Sequence, residues 1–151
     1  MSVAQRLTEL GITLPPVAVP VAAYVPATRS GNQIVTSGQL PTVNGSLVAT
    51  GKVGAEVTPE AAVDAARTAA LNALAAAADV AGGVEAIKRI VKVVVFVAST
   101  PDFTGQPAVA NGASNLYGDI FGDAGAHARS AVGVAVLPLD APVEIELTVE
   151  V

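Results

Sequence analysis

The sequence contains no cysteine, no tryptophan and one histidine among its 151 residues. Without cysteine there is no disulfide framework, no thiolate nucleophile, and no iron–sulfur or Cys-type zinc site. A single histidine, His127, removes any multi-histidine metal centre, since such centres need at least two imidazoles within reach of one another. Aromatic residues make up only 3% of the chain and charged residues 14%, where an average domain has roughly 25% charged. Long apolar runs are also missing. Val93 to Ala98 is strand-sized, far short of the ~18 residues of a membrane span. The first ten residues carry Arg6 and Glu9 in place of a basic patch and an apolar stretch, so they do not read as a secretory signal. These features predict a soluble, cytoplasmic protein without a bound metal or cofactor.

What is abundant is alanine and valine. Hydrophobic residues reach 52%, with a mean hydropathy of +0.57, which leaves too few charges to cover a free monomer. The surplus suits close packing and flat interfaces, and predicts a symmetric oligomer. The length fits one domain with one core. The net charge of −5 opposes binding to phosphate backbones, which depends on Lys and Arg, so nucleic acid is not an expected partner.

Along the chain, Ser2 can cap a short helix with Val3, Leu7 and Leu10 on one stripe, and Gly11 can end it. Pro15, Pro16 and Pro20 exclude helix beyond that point. Residues 1–20 therefore read as a helical arm and a Pro-rich linker laid on the surface, and 21–151 as the domain. Strands are expected over Val21–Arg29 and Gln33–Gln39 about a Ser30-Gly31-Asn32 turn. Asn44-Gly45 signals a second turn, followed by a brief strand over Leu47–Ala49. Asn44-Gly45-Ser46 also fits a glycosylation sequon, but a turn is the better reading without a secretory signal. Thr58-Pro59-Glu60 has a capping hydroxyl, a proline at the first helical position and an early acid, which start a helix running to Gly82-Gly83. Its wet face would carry Glu60, Asp64, Arg67, Thr68, Asn72 and Asp79, interrupted by Leu71, opposite a carpet of alanine. Lys88–Ser99 is a Val-rich strand, apolar on both faces, as in a central strand covered on each side. Pro107–Phe121 is a weaker helix containing Gly112 and Gly118, and strands follow over Arg129–Val136 and Val143–Val151. The order predicts an α+β fold with a mostly antiparallel sheet and two helices on one face.

Two segments could carry chemistry. On the strand from Arg129, small residues (Ala131, Gly133, Ala135) share a face with the guanidinium. That suits a small carboxylate pocket, because arginine offers a fixed bidentate fork; a structural salt bridge to a nearby acid explains Arg129 equally well. Glu144, Glu146, Thr148 and Glu150 share a face of the last strand. Glu144 could aim or deprotonate a water, although a solvated acidic face is the simpler account of the pattern. His127, two residues before Arg129, could bind an anion or relay a proton from a His-x-Arg loop, but a surface-loop histidine is the better reading. Neither Ser37 nor Ser130 has partners in the sequence that would make it a hydrolase nucleophile.

Three segments together resemble the Rid family of reactive-intermediate (enamine/imine) deaminases, also called the YjgF type and once labelled L-PSP endoribonucleases. They are Ile34-Val35-Thr36-Ser37-Gly38-Gln39-Leu40-Pro41, Val93 to Val97, and Ala128-Arg129-Ser130-Ala131-Val132 running through Leu137-Pro138 to Val143-Glu144-Ile145-Glu146. The resemblance covers about residues 21 to 151. It implies a chorismate-mutase-like fold assembled as a homotrimer, with ligand clefts between subunits. It also implies that Arg129 clamps a substrate carboxylate, that Glu144 positions the hydrolytic water, and that Tyr24, Ser37 and Gly38 line the cleft. The implied reaction hydrolyses a 2-imino acid to a 2-oxo acid and ammonia without a cofactor. Non-catalytic binding of small carboxylates is the alternative. RNA cleavage rests on the old label alone and is opposed by the acidic charge and few aromatics. Where family deaminases carry a site asparagine in the second helix, alignment on Tyr117 and Phe121 puts Ser114, with Asn111 and Asn115 out of register. Together with the arm and a longer Thr104–Gly112 segment, this marks a divergent subgroup.

Overall fold

The computed structural model describes all 151 residues. Helix α1 spans Val3–Glu9, followed by strands β1 (Ala27–Ser30), β2 (Gln33–Thr36), β3 (Thr42–Val43) and β4 (Ser46–Leu47). Then come helix α2 (Pro59–Ala81), strand β5 (Arg89–Ala98), helix α3 (Gln106–Phe121) and strands β6 (Ala128–Val134) and β7 (Val143–Glu150). Five strands form one sheet in the order β1-β2-β7-β5-β6, and β3 and β4 form a separate ribbon. All pairings are antiparallel except β5–β6. The expected α+β architecture, with the two long helices on one face of the sheet, is what the chain forms.

Local signals explain most of these elements. The Thr58 hydroxyl accepts from Ala61 N, Pro59 opens α2, and Gly82 at φ 90° ends it, a left-handed cap that costs glycine little. Asn44 and Gly45 both have positive φ, the conformation of a two-residue hairpin turn. They join β3 to β4, so the sequon tripeptide sits in a tight turn. The first strand is shorter than expected: residues 21–26 form bends, and pairing starts at Ala27. Pro26 has no N–H to give to the ladder, and Val21 and Val25 stay exposed.

The core lies between the sheet and the helices. Val93, Val95 and Val97 of β5 and Val143, Ile145, Leu147 and Val149 of β7 are fully buried beneath the alanine face of α2 and the inner face of α3. Alanine permits this because a short side chain lets helix and sheet backbones approach. Gly112 extends the same logic, since a Cβ there would overlap the Val63 carbonyl of α2. It is a contact point between helices and not a weak spot in α3. Tyr117 is fully buried, and its hydroxyl donates to Ala70 O at 2.8 Å, which satisfies the one polar atom that burial would otherwise orphan.

Two features of the helical wheel change in three dimensions. Asn72 is not on a wet face: its Nδ2 donates to Leu40 O at 2.9 Å and Thr42 O at 3.0 Å, so it ties the ribbon to α2. Leu71 is half-buried and packs against the core. The arm is also more firmly attached than a surface linker. Ser2 and Gln5 form a reciprocal capping box, and Leu7 is 6% exposed within the core cluster. Glu85 accepts from Ala4 N at 2.6 Å and Val3 N at 3.3 Å. Burial thus begins at Leu7, ahead of the Val21 start expected from composition. The opposite face of the sheet carries no helix. It presents Val94 and Phe96 half-buried, Val35 and Val132 exposed, and Glu144, Glu146 and Thr148 from β7. The second cover expected for β5 is absent from the single chain. No helix is long and apolar enough to cross a membrane.

Candidate functional site

Strand register assigns each candidate to a face. Arg129 pairs with Val93, whose side chain is buried under the helices, so the guanidinium emerges on the helix-covered side at the edge strand. There it meets α3: Nη1 donates to Asn111 Oδ1 at 2.7 Å and to Ser114 Oγ at 3.1 Å. No carboxylate lies within ion-pair distance of it, the chain's one ion pair being Arg6–Glu9 at 3.1 Å. The salt bridge that sequence alone left open for Arg129 is therefore not formed. Two neutral oxygens hold the side chain in place and leave its charge uncompensated.

Ser114 is half-buried and has a second partner, His127 Nε2 at 2.9 Å, while His127 Nδ1 lies 2.6 Å from Gly125 O. The imidazole also stands edge-on to the Tyr117 ring, with centroids 6.2 Å apart at 86°. His127 is therefore not a free surface-loop residue. It is bonded at both ring nitrogens and faces the same way as Arg129. Asn111 and His127 are the two residues that the sequence reading weighs and sets aside, Asn111 as out of register and His127 as a surface-loop histidine, and both carry a signal. Asn111 lies one helical turn before Ser114 and so shares its face. His127 lies two residues before Arg129, on the same side of an extended chain.

The second group lies on the other side of the sheet. Glu144 pairs with Phe96, three residues along from Val93, and so points to the helix-free face. It is half-buried, and its pKa is raised above the usual carboxylate value, first by desolvation and then by the charge of Glu146. Gly38 lies directly against it: a Cβ at Gly38 would overlap Glu144 Oε1, so the missing side chain makes room for the carboxylate. Gln39 holds this stretch in place by bridging to Ile145. The Ser37 hydroxyl donates to Val25 O at 2.6 Å, fastening the bend that carries Tyr24, itself 57% exposed. Thus Arg129, Ser114 and Asn111 form one group, and Gly38 and Glu144 a second, with Ser37 and Tyr24 on the segment that leads into Gly38. The sheet separates them within the single chain.

Neither group lies in a deep cavity of the single chain. A concavity of about 690 Å³ runs between the Pro-rich segment, the β3–β4 ribbon and α2, away from Arg129 and Glu144. A smaller one of about 300 Å³ lies at the far end of β6. There Gln106 Nε2 donates to Ser99 Oγ and Phe103 O, over the space that a side chain at Gly133 would fill. No cluster of His, Asp and Glu able to hold a metal ion is present.

Residues 4–151 match the family described as "YjgF/chorismate mutase-like, putative endoribonuclease". The chain is similar to protein TCP17 of Trypanosoma cruzi, with 46% identity over 98% of this chain and 93% of the relative. Among solved structures it resembles a "putative endoribonuclease" from Shewanella oneidensis, with a TM-score of 0.95, 33% identity and full coverage of both chains. It also resembles E. coli TdcF with bound serine, with a TM-score of 0.65 and 27% identity over 91% of this chain and 94% of that one.

Proposed function

The chain belongs to the YjgF/chorismate mutase-like family, and on that footing we propose that it hydrolyses small 2-imino acids and enamines to 2-oxo acids and ammonia. The reaction takes place in clefts between subunits of a cytoplasmic homotrimer. The observation that carries this reading is the uncompensated guanidinium of Arg129, held by Asn111 and Ser114 with no acid nearby. A cation pre-positioned by neutral acceptors suits a ligand that brings its own negative charge.

In this reading the substrate carboxylate lies on Arg129 beside Ser114, and Glu144 of a neighbouring subunit faces the imine carbon. Glu144 takes a proton from a water whose oxygen attacks that carbon, the C=N electron pair moves to nitrogen, and Glu144 passes the proton to that nitrogen. The resulting carbinolamine then collapses: Glu144 takes the hydroxyl proton and delivers it to the nitrogen as the C=O bond forms and the C–N bond breaks, and the nitrogen leaves as ammonia. Burial makes Glu144 a stronger base than a solvated carboxylate, and Gly38 leaves space up to its oxygens. Tyr24 and Ser37 line the same side. The helix-free sheet face, with Val94 and Phe96 on β5 and Val132 on β6, supplies the apolar surface on which subunits meet. The net charge of −5 speaks against RNA as the substrate.

Serine bound in TdcF favours a second reading, in which the site holds small amino or oxo acids without turning them over. The deciding experiment supplies freshly generated 2-iminopropanoate and follows its decay. Acceleration by wild type and its loss in Arg129→Ala support hydrolysis. Wild-type decay equal to that in buffer, with thermal stabilisation by 2-oxo acids, leaves binding alone.

A further inference from the structure

Taking Arg129 as the carboxylate anchor, as above, we propose that His127 is a positioning residue that acts through Ser114 to fix which edge of the guanidinium faces the ligand. The hydrogen bonds are directional and leave little freedom. Gly125 O can only accept, so the His127 Nδ1 at 2.6 Å must carry a proton. In the neutral ring Nε2 is then an acceptor, and the Ser114 hydroxyl at 2.9 Å donates to it. With its proton committed, Ser114 Oγ presents a lone pair to Arg129 Nη1 at 3.1 Å. The other Nη1 hydrogen goes to Asn111 Oδ1 at 2.7 Å. Both hydrogens of Nη1 are thereby used, and the only two-pronged edge left for a carboxylate is Nε with Nη2.

The chain of bonds is rooted in the core. His127 is braced edge-on against Tyr117, and Tyr117 is tied to Ala70 O. Gly125 brings its carbonyl in close because it has no Cβ, which would otherwise overlap the Tyr117 carbonyl. From Tyr117 to Arg129, each group orients the next. Ser114 thus serves the ligand indirectly, because its hydroxyl hydrogen already points to the imidazole.

Because His127 is the only histidine, its ring signals in a 15N NMR spectrum are unambiguous. At pH 8, where an ordinary imidazole is neutral, the Nδ1–H tautomer is expected; Gly125 O should hold it in Ser114→Ala as well, where the Nε2 signal shifts because its donor is gone. Pyruvate serves as the carboxylate probe. Its addition should shift the His127 signals in wild type, and His127→Ala should weaken its binding about tenfold with a much smaller change in kcat. His127→Gln, whose amide oxygen can accept from Ser114, should restore most of the affinity, a rescue that a fold defect would not permit. An Nε2–H tautomer, or unchanged pyruvate affinity in His127→Ala, overturns the proposal. So does covalent labelling of Ser114 by a fluorophosphonate, which would make the pair a nucleophile and its base. If pyruvate fails to bind even wild type, the carboxylate-anchor reading falls. The tautomer and the Nε2 shift on Ser114→Ala then decide separately whether His127 orients Ser114.

Discussion

Arg129 and Glu144 stand on opposite faces of one sheet, because Arg129 is in register with Val93 and Glu144 with Phe96, three residues further along the same strand. Residues an odd number apart on a strand point to opposite sides, and no rotamer change brings the two side chains together through the core. If both act on one ligand, they must come from different subunits. The helix-free face that carries Glu144 must then lie near the Arg129 edge of a neighbour.

Subunit mixing tests this directly. Arg129→Ala and Glu144→Gln should each be inactive alone. When the two chains are co-assembled in equal amounts, about a quarter of the inter-subunit sites combine an intact Arg129 with an intact Glu144, and activity should recover to about that fraction of wild type. A site built within one chain would recover nothing. Sedimentation of the same mixture reads the oligomeric state, and a monomer at micromolar concentration would exclude the shared cleft.

The raised pKa of Glu144 predicts opposite trends for activity and stability. Its carboxylate must be ionised to act as a base, so the rate should rise with pH through a value above the usual 4.5, and Glu144→Gln should remove that limb. For folding, a raised acid pKa means that the native state binds the proton more tightly than the unfolded chain. Stability from this group is therefore full below 4.5 and is lost as pH rises through the higher native value. Chemical denaturation of wild type and Glu144→Gln across this range should show the variant gaining relative stability as pH increases. Glu146→Gln should shift the limb downward by a smaller amount, because Glu146 is the lesser of the two causes.

How far these features can be read in the sequence depends on whether their causes are local. The Thr58-Pro59 start and Gly82 end of α2, the Asn44-Gly45 turn and the alternation of β7 follow from neighbours in the chain, and each forms where expected. Pro26 was an equally local warning that the first strand would not reach back to Val21. Asn72 could not be placed by a helical wheel, because what buries it is a pair of carbonyls from Leu40 and Thr42, about thirty residues away. The candidate site divides in the same manner. Family spacing singles out Arg129 and Glu144, but the bonds that Ser114, Asn111 and His127 make depend on how α3 lies along β6, which no short-range pattern encodes.

Gly38 should be intolerant of the smallest side chain for a functional reason. A methyl group there meets the end of the Glu144 side chain, so the carboxylate can swing aside and the fold should lose only about 1 kcal/mol, the low end for added bulk. The displaced carboxylate no longer aims at the reacting carbon, and kcat should fall on the order of tenfold to a hundredfold. Activity and thermal melting of Gly38→Ala, measured together, separate the two effects. Full activity with an unchanged melting curve would show that Glu144 need not occupy its observed position.

The arm offers the last test, because its helix is bound to the domain by three kinds of contact. Leu7 is in the core, Arg6 Nε donates to Asp119 O at 2.7 Å, and Glu85 caps the N-terminus of α1. A seven-residue helix is too short to persist alone in water, so α1 must draw its stability from α3 and the turn at Glu85. If arm and domain unfold as one unit, Leu7→Ala should cost about 2 kcal/mol, at the low end for a buried leucine because the site lies near the surface. It should lower the midpoint of a single cooperative transition followed by far-UV circular dichroism. If residues 1–20 were an appendage to an autonomous domain, the substitution would leave that midpoint where it is, and a chain starting at residue 21 would melt as the full-length protein does.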